Sequence, residues 1–217
     1  LELYCGIGGC AAALPTGAEI VAAIDIDREA LSVYRANWPH PTCAAEISSL
    51  SFDRWEADLW WLSPPCRPYS QRGQQRDHAD SRSTSLMEAI AQACRLRPAA
   101  MVIENVPPFL GSVTWSRCWQ RLQRAGFRLA WGCLCPEQIG WPMRRRRAYL
   151  AALRDRAPRS WVLSCDPSAP RLRDLLEPFD PNAPTGHEAR LMAEAPSIQR
   201  VRHALHRVDP SSSDSVA

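Results

Sequence analysis

Apolar positions along residues 1–153 repeat with two different periods, and the switching between them predicts layers. The short apolar runs "LELY", "AEIVAAID", "ADLWWLS", "AAMVIEN", "FRLAWGCLC" and "RRAYLAAL" have the length and residue types of strands. Stretches with helical spacing separate most of them, which predicts an α/β chain with a mostly parallel, doubly wound sheet. The first run ends at a glycine turn, "CGIGG", and a short helix, "CAAAL", is closed by Pro15 and Gly17. Asp27 is placed to cap the next helix, whose apolar face is Ala30, Leu31 and Tyr34. "SLMEAIAQACRLR" opens with Ser85-x-x-Glu88, the spacing of a capping box, and turns Leu86, Ile90, Ala93 and Cys94 inward. "TWSRCWQRLQRAG" puts Trp115, Trp119 and Leu122 on one face and stops at Gly126. Past residue 154 the pattern decays; only "RLRDLLE" and "SIQRVRHALHRV" keep helical spacing, and "DPSSSDSVA" reads as disordered.

Composition narrows the class. Hydrophobic residues make up 46% of the 217, enough for a sizeable core. Every one of the 26 basic residues is an arginine, and 23 acids leave a net charge of +3, which permits nucleic-acid binding without requiring it. Nine cysteines, an odd number with no C-x-x-C pair, predict neither a disulfide framework nor a zinc site. His40, His78, His187, His203 and His206 show no metal spacing, so no metal is expected, and the tryptophans are expected in the core. No apolar run approaches the roughly 18 residues that span a bilayer. A cytoplasmic protein with reduced thiols and no membrane contact is the expectation. The chain opens on Leu1 inside an apolar run, so the natural N-terminus is expected upstream.

Four stretches carry candidate chemistry. In "WWLSPPCRPYSQRG" two prolines fix φ near about −65° and remove two backbone donors, so Cys66 sits on a stiff loop. A cysteine is usually a small buried hydrophobe. One that follows a strand's carboxyl end, with Arg67 beside it to favour the thiolate, is a candidate nucleophile. "LYCGIGGC" followed by Asp25 has the spacing of a turn that admits a ligand's backbone approach and an acid that accepts from a ribose, although a tight packing turn reads the same. Glu104-Asn105-Val106 ends another strand, as a surface cap or as an acid beside the nucleophile. In "MRRRRAYL" a solvated basic face is the ordinary reading, but strand alternation would put Arg145 and Arg147 together on one face.

Taken in order, "LYCGIGG", "PPCRPYSQRG", "ENV" and "RRRRAYL" resemble the motifs of the cytosine-C5 methyltransferase family, which methylates cytosine in DNA or, in one branch, in tRNA. The resemblance implies a Rossmann-like fold using S-adenosyl-L-methionine over a catalytic domain of residues 1–153. Residues 154–217 are left as a truncated or compact recognition region with a disordered tail. It implies Cys66 as nucleophile, with Glu104 and Arg147 holding the target base. Tyr4, Gly6, Gly8, Gly9, Asp25, Ile26, Glu46 and Pro65 would meet the cofactor, and Arg67, Ser70 and Arg145 the nucleic acid. DNA is the expected substrate, in a restriction-modification setting and with a monomeric enzyme. "LELYCGIGG", "VAAIDID" and "DSRSTS" look like the tRNA branch, which is the alternative. A catalytically inactive remnant that binds only cofactor or nucleic acid is a third reading, motivated by the missing target-recognition domain and C-terminal Asn-containing motif. An amino-methyltransferase is disfavoured, because Cys66 stands where that loop carries an aromatic residue. Arg67 and Met143 replace two glutamines of the family pattern.

Overall fold

Seven strands form one sheet in the computed structural model, which describes residues 1–15, 17–69, 77 and 81–158. They are β1 (Glu2–Leu3), β2 (Ala23–Asp25), β3 (Thr42–Ala44), β4 (Leu59–Leu62), β5 (Ala100–Asn105), β6 (Arg128–Leu134) and β7 (Arg147–Leu153), in the spatial order β3-β2-β1-β4-β5-β7-β6. The first five run parallel to one another, while β7 is antiparallel to both β5 and β6. Four helices accompany them: α1 (Gly9–Ala13), α2 (Arg28–Asn37), α3 (Ser81–Leu96) and α4 (Val113–Arg124).

The helices divide between the two faces, as the doubly wound expectation requires. Cys5, Ala11, Ala23, Leu31 and Tyr34 form one apolar cluster, and Ile24, Leu62, Leu86, Ile90, Ile103 and Leu122 belong to another. Ala23 and Ile24 are successive residues of β2, so their side chains leave opposite faces of the sheet. Thus α1 and α2 pack on one side, α3 and α4 on the other. Burial alternates strictly along β5, with Met101, Ile103 and Asn105 inward. Asp27 caps α2 as predicted, its Oδ1 accepting from the backbone of Glu29 and Ala30 at 2.9 and 3.1 Å.

Several expectations are corrected. "AEIVAAID" pairs as strand only over Ala23–Asp25, because its neighbours β1 and β3 offer just two and three residues to bond with. The helix expected to start at Ser85 starts one turn earlier, at Ser81, so Ser85 is interior and buried rather than a cap. "MRRRRAYL" becomes strand only at Arg147; residues 143–146 are exposed and outside the ladder. Trp60 is core, but Trp131 is 54% exposed on the edge strand and Trp141 39% exposed in the turn before β7. The two late helical segments, and the recognition region apart from residues 154–158, lie outside the described residues. No helix among the described residues is long and apolar enough to cross a membrane.

Candidate active site

The strand order reverses between β1 and β4: the chain winds outward to β2 and β3 on one side and to β5 on the other. In parallel sheets a crevice opens at that switch, outside the strands' carboxyl ends. The loops entering it are the glycine turn after β1 and the double-proline loop after β4.

The glycine turn is shaped by backbone conformation and by one carboxylate. Tyr4, Gly6 and Gly8 have φ of 57°, 53° and 99°. Asp25, at the end of β2, accepts from the Gly6 amide through Oδ2 at 2.8 Å and from the Asp27 amide through Oδ1 at 2.9 Å. The acid that spacing assigned to a ribose therefore also ties down the turn. The three glycines differ in purpose. A Cβ on Gly8 would lie 2.4 Å from Trp38 Nε1, so this position serves packing, whereas one on Gly6 or Gly9 would meet no heavy atom within 4 Å.

A cleft of about 540 Å³ opens beside the turn, and Tyr4, Asp25, Ile26, Glu46 and Pro65 all line it. Its acceptor and apolar set fits the implied nucleoside-bearing cofactor, with a carboxylate to accept from a diol and the 64% exposed Ile26 for a flat ring. Gly6, Gly8 and Gly9 do not line it, although space is open at Gly6 and Gly9. Sequence reasoning missed Ser63, Thr84 and Ser85 in the same wall. Ser63 directly precedes the prolines and was legible from its place at a strand end. Ser85 was hidden by its resemblance to a cap; its Oγ instead pairs with the Tyr4 hydroxyl at 2.5 Å. Burial pushes that phenol well above its ordinary range, so it stays neutral, and the Ser85 hydrogen bond offsets only part of the shift.

Cys66 is exposed, between an exposed Pro65 and an exposed Arg67, while Pro64, Pro68 and Tyr69 are buried and anchor the loop. The Tyr69 amide donates to the Cys66 carbonyl at 3.0 Å, closing a tight turn around the thiol. On the other side, Asn105 Nδ2 donates to the Pro64 carbonyl at 3.1 Å while Asn105 Oδ1 accepts from the Val106 amide at 2.8 Å. Pleating sends Glu104 to the opposite face from Asn105. There Arg147 Nε meets Glu104 Oε1 at 3.0 Å, with side chains only 18% and 21% exposed. Tyr149, opposite Glu104 on β7, has its hydroxyl pushed up by burial first and by the Glu104 charge second. Asn105, read only as the middle of "ENV", thus joins the two strand ends.

The fold brings Cys66, Glu104 and Arg147 to one rim of the sheet, on loops or ends of β4, β5 and β7. Arg67 and Arg145 are exposed, and Ser70 lies outside the described residues. Cys5 and Cys118 are buried, and burial pushes both thiols up to about 12. No group of three or more metal-binding side chains occurs among the described residues.

The chain is similar to known proteins. The chain is 37% identical over 161 residues to a human tRNA (cytosine(38)-C(5))-methyltransferase, covering 70% of this chain and 41% of that protein. It is 28% identical over 166 residues to a DNA (cytosine-5)-methyltransferase of Dictyostelium discoideum, covering 71% and 44%. The crystal structure of the S. pombe Dnmt2 methyltransferase superimposes with a TM-score of 0.67 at 32% identity, over 82% of this chain and 60% of that one. The chain therefore spans half or less of the length of the curated relatives it matches. With a glycine turn, a cysteine loop and a glutamate–arginine pair at one sheet rim, and with residues 1–199 matched by the model of C-5 cytosine-specific DNA methylases, the chain belongs to that family.

Proposed function

We propose that this chain methylates carbon 5 of cytosine in tRNA, through a covalent bond between Cys66 and the base. The observation that carries the proposal is the exposed Cys66 on a loop that Asn105 pins to β5, whose next residue back, Glu104, pairs with Arg147. Carbon 5 of cytosine is a poor nucleophile. Addition of the Cys66 thiolate to C6 forms a C–S bond and shifts the C5–C6 π pair onto C5, with negative charge developing at N3 and O2. With a proton taken up as the base enters, the Glu104 carboxyl donates to N3 and accepts from the exocyclic amine, and Arg147 donates to O2, so that charge develops against donors already in place. Pairing Glu104 with Arg147 before the base arrives holds both side chains in position. S-adenosyl-L-methionine, bound in the cleft lined by Tyr4, Asp25 and Ile26, supplies an electrophilic methyl carbon on a sulfonium. C5 would take that methyl as the carbon–sulfonium bond breaks and its pair stays on the departing thioether. The C5 proton would then leave to solvent, its bonding pair re-forming the C5–C6 double bond as the C6–S pair returns to sulfur, which restores the aromatic ring and the Cys66 thiolate.

The choice of tRNA rests on relatedness and on energetics. The human relative named for tRNA stands at 37% identity and the Dictyostelium relative named for DNA at 28%. The cleft wall that pairs Tyr4 with Ser85 also comes from "LELY" and "DSRSTS", the stretches that look like the tRNA branch. A base in an RNA loop is already unpaired, whereas extracting one from a duplex costs a few kcal/mol. The balance thus moves from the DNA expectation to tRNA.

The test is to incubate the chain with methyl-labelled S-adenosyl-L-methionine and either total tRNA or duplex DNA, digest, and quantify 5-methylcytosine. Label in tRNA supports the proposal, and label in DNA alone overturns the substrate. Label in neither, with the cofactor still bound, would favour the inactive remnant.

A further inference from the structure

Asp77 is the one described residue between Tyr69 and α3, and its contacts reach in two directions. Its carboxylate accepts from the Val113 amide at 2.6 Å through Oδ2, and from the Thr114 amide and hydroxyl at 3.1 and 2.7 Å through Oδ1. Those are the first two amides of α4, donors that a helix leaves without internal partners, and the helix dipole favours an anion there. Helix capping alone does not account for the residue, because α4 has its own cap: Ser112 Oγ accepts from the Trp115 amide at 2.9 Å.

The backbone of Asp77 turns the other way, toward the nucleophile loop. Its amide donates to the Pro68 carbonyl at 3.4 Å. Its carbonyl accepts from Ser83 Oγ at 2.7 Å, and the same Oγ pairs with the Tyr69 hydroxyl at 2.8 Å. Ser83, Tyr69 and Thr114 are all buried, and the Tyr69 ring packs against Phe109 at 4.8 Å between centroids. Tyr69 in turn donates its amide to Cys66. A continuous run of hydrogen bonds therefore leads from the start of α4, through Asp77, to the backbone of the nucleophile. Asp77 holds φ at +45°, a conformation that a non-glycine residue keeps only where its surroundings impose it.

We infer that Asp77 is a positioning residue for Cys66, fastening the loop that carries the thiol to the N-terminus of α4. Asn105 holds the loop at Pro64, and Asp77 holds it at Pro68 directly and at Tyr69 through Ser83, so residues 65–67 are fixed from both ends. The inference rests on the assignment of Cys66 as nucleophile. Misplacing a reacting group by about an ångström costs on the order of 100-fold in rate.

Asp77→Ala and Ser112→Ala separate the two roles, since both weaken the start of α4 and only the first touches the loop. Both variants should lower the thermal midpoint by similar amounts. Asp77→Ala should speed amide hydrogen exchange in the peptide covering residues 64–69. It should also lower kcat roughly tenfold to 100-fold, with cofactor affinity and nucleic-acid KM within about twofold of wild type. Ser112→Ala should leave exchange in that peptide and kcat at the wild-type level. Asp77→Asn, which keeps one acceptor oxygen, should fall between, and it carries the test if the alanine variant does not fold. Equal exchange and equal kcat in the Asp77 and Ser112 variants would overturn the inference. A wild-type chain that transfers no methyl group counts against the proposed function instead, and the exchange comparison still decides the role of Asp77.

Discussion

Cys66 differs from the other cysteines among the described residues in its exposure. It is exposed on a proline-stiffened loop, whereas Cys5 and Cys118 sit in the apolar clusters with thiols pushed up to about 12, so they remain protonated at neutral pH. Only the thiolate attacks an alkylating reagent. Brief iodoacetamide treatment of the native protein at pH 8, followed by peptide mass spectrometry, should label Cys66 and spare Cys5 and Cys118. Labelling of Cys118 at the rate of Cys66 would show that the burial described here is wrong. The stiff loop that presents Cys66 was legible because proline acts through its own covalent geometry, independent of tertiary context. The partners of the Cys66 loop were not legible: Asn105 lies 41 positions along the chain from Pro64 and Asp77 lies 9 from Pro68, and no local pattern encodes such contacts.

At the scale of elements, the glycine turn shows how identical residues answer different demands. Gly8 combines a φ of 99° with a clash at Trp38, so Gly8→Ala should cost about 2–5 kcal/mol from backbone strain and overpacking together. Gly9 begins α1 and faces open space, so Gly9→Ala should leave stability unchanged or raise it by up to about 1 kcal/mol while weakening S-adenosyl-L-methionine binding. Denaturant titration and cofactor titration of the two variants check the contrast. β1 carries a further test. Glu2 is buried, and desolvation raises its carboxyl pKa despite the hydrogen bond from the Tyr34 hydroxyl at 3.1 Å. The folded state thus prefers the protonated acid. That stabilisation is complete below the unfolded carboxyl pKa and is lost as pH rises through the higher folded value. Glu2→Gln, which stays neutral and still accepts from Tyr34, should melt above wild type at pH 8 and match it near pH 4. A constant difference across that range would contradict the burial of a titrating acid.

Across the whole molecule, four segments distant in the chain meet because a doubly wound sheet puts successive strand ends on one edge. Apolar spacing and turn residues revealed six of the seven strands, their helices, the mostly parallel direction and the ends that bear chemistry; β3, Thr42–Ala44, is too short to show an apolar run. Neighbour order and the reversed direction of β7 were not readable. Nothing in "RRAYLAAL" indicates that β7 inserts antiparallel between β5 and β6, yet that insertion is what lays Arg147 against Glu104. The expected alternation of Arg145 with Arg147 failed for a related reason, since pairing begins only where a partner strand is available, at Arg147 opposite Leu134.

The claim on which everything turns is a bond from sulfur to a pyrimidine ring. Replacing the C5 hydrogen of cytosine by fluorine blocks the final proton loss and so preserves that bond. Incubating the protein with S-adenosyl-L-methionine and 5-fluorocytosine-substituted tRNA, then digesting and sequencing the cross-linked peptide by mass spectrometry, reads it directly. The expected product is a methylated fluorocytosine nucleotide attached to Cys66, absent from Cys66→Ala. Methyl transfer to unsubstituted tRNA that persists in Cys66→Ala, or an adduct on another residue, would contradict it.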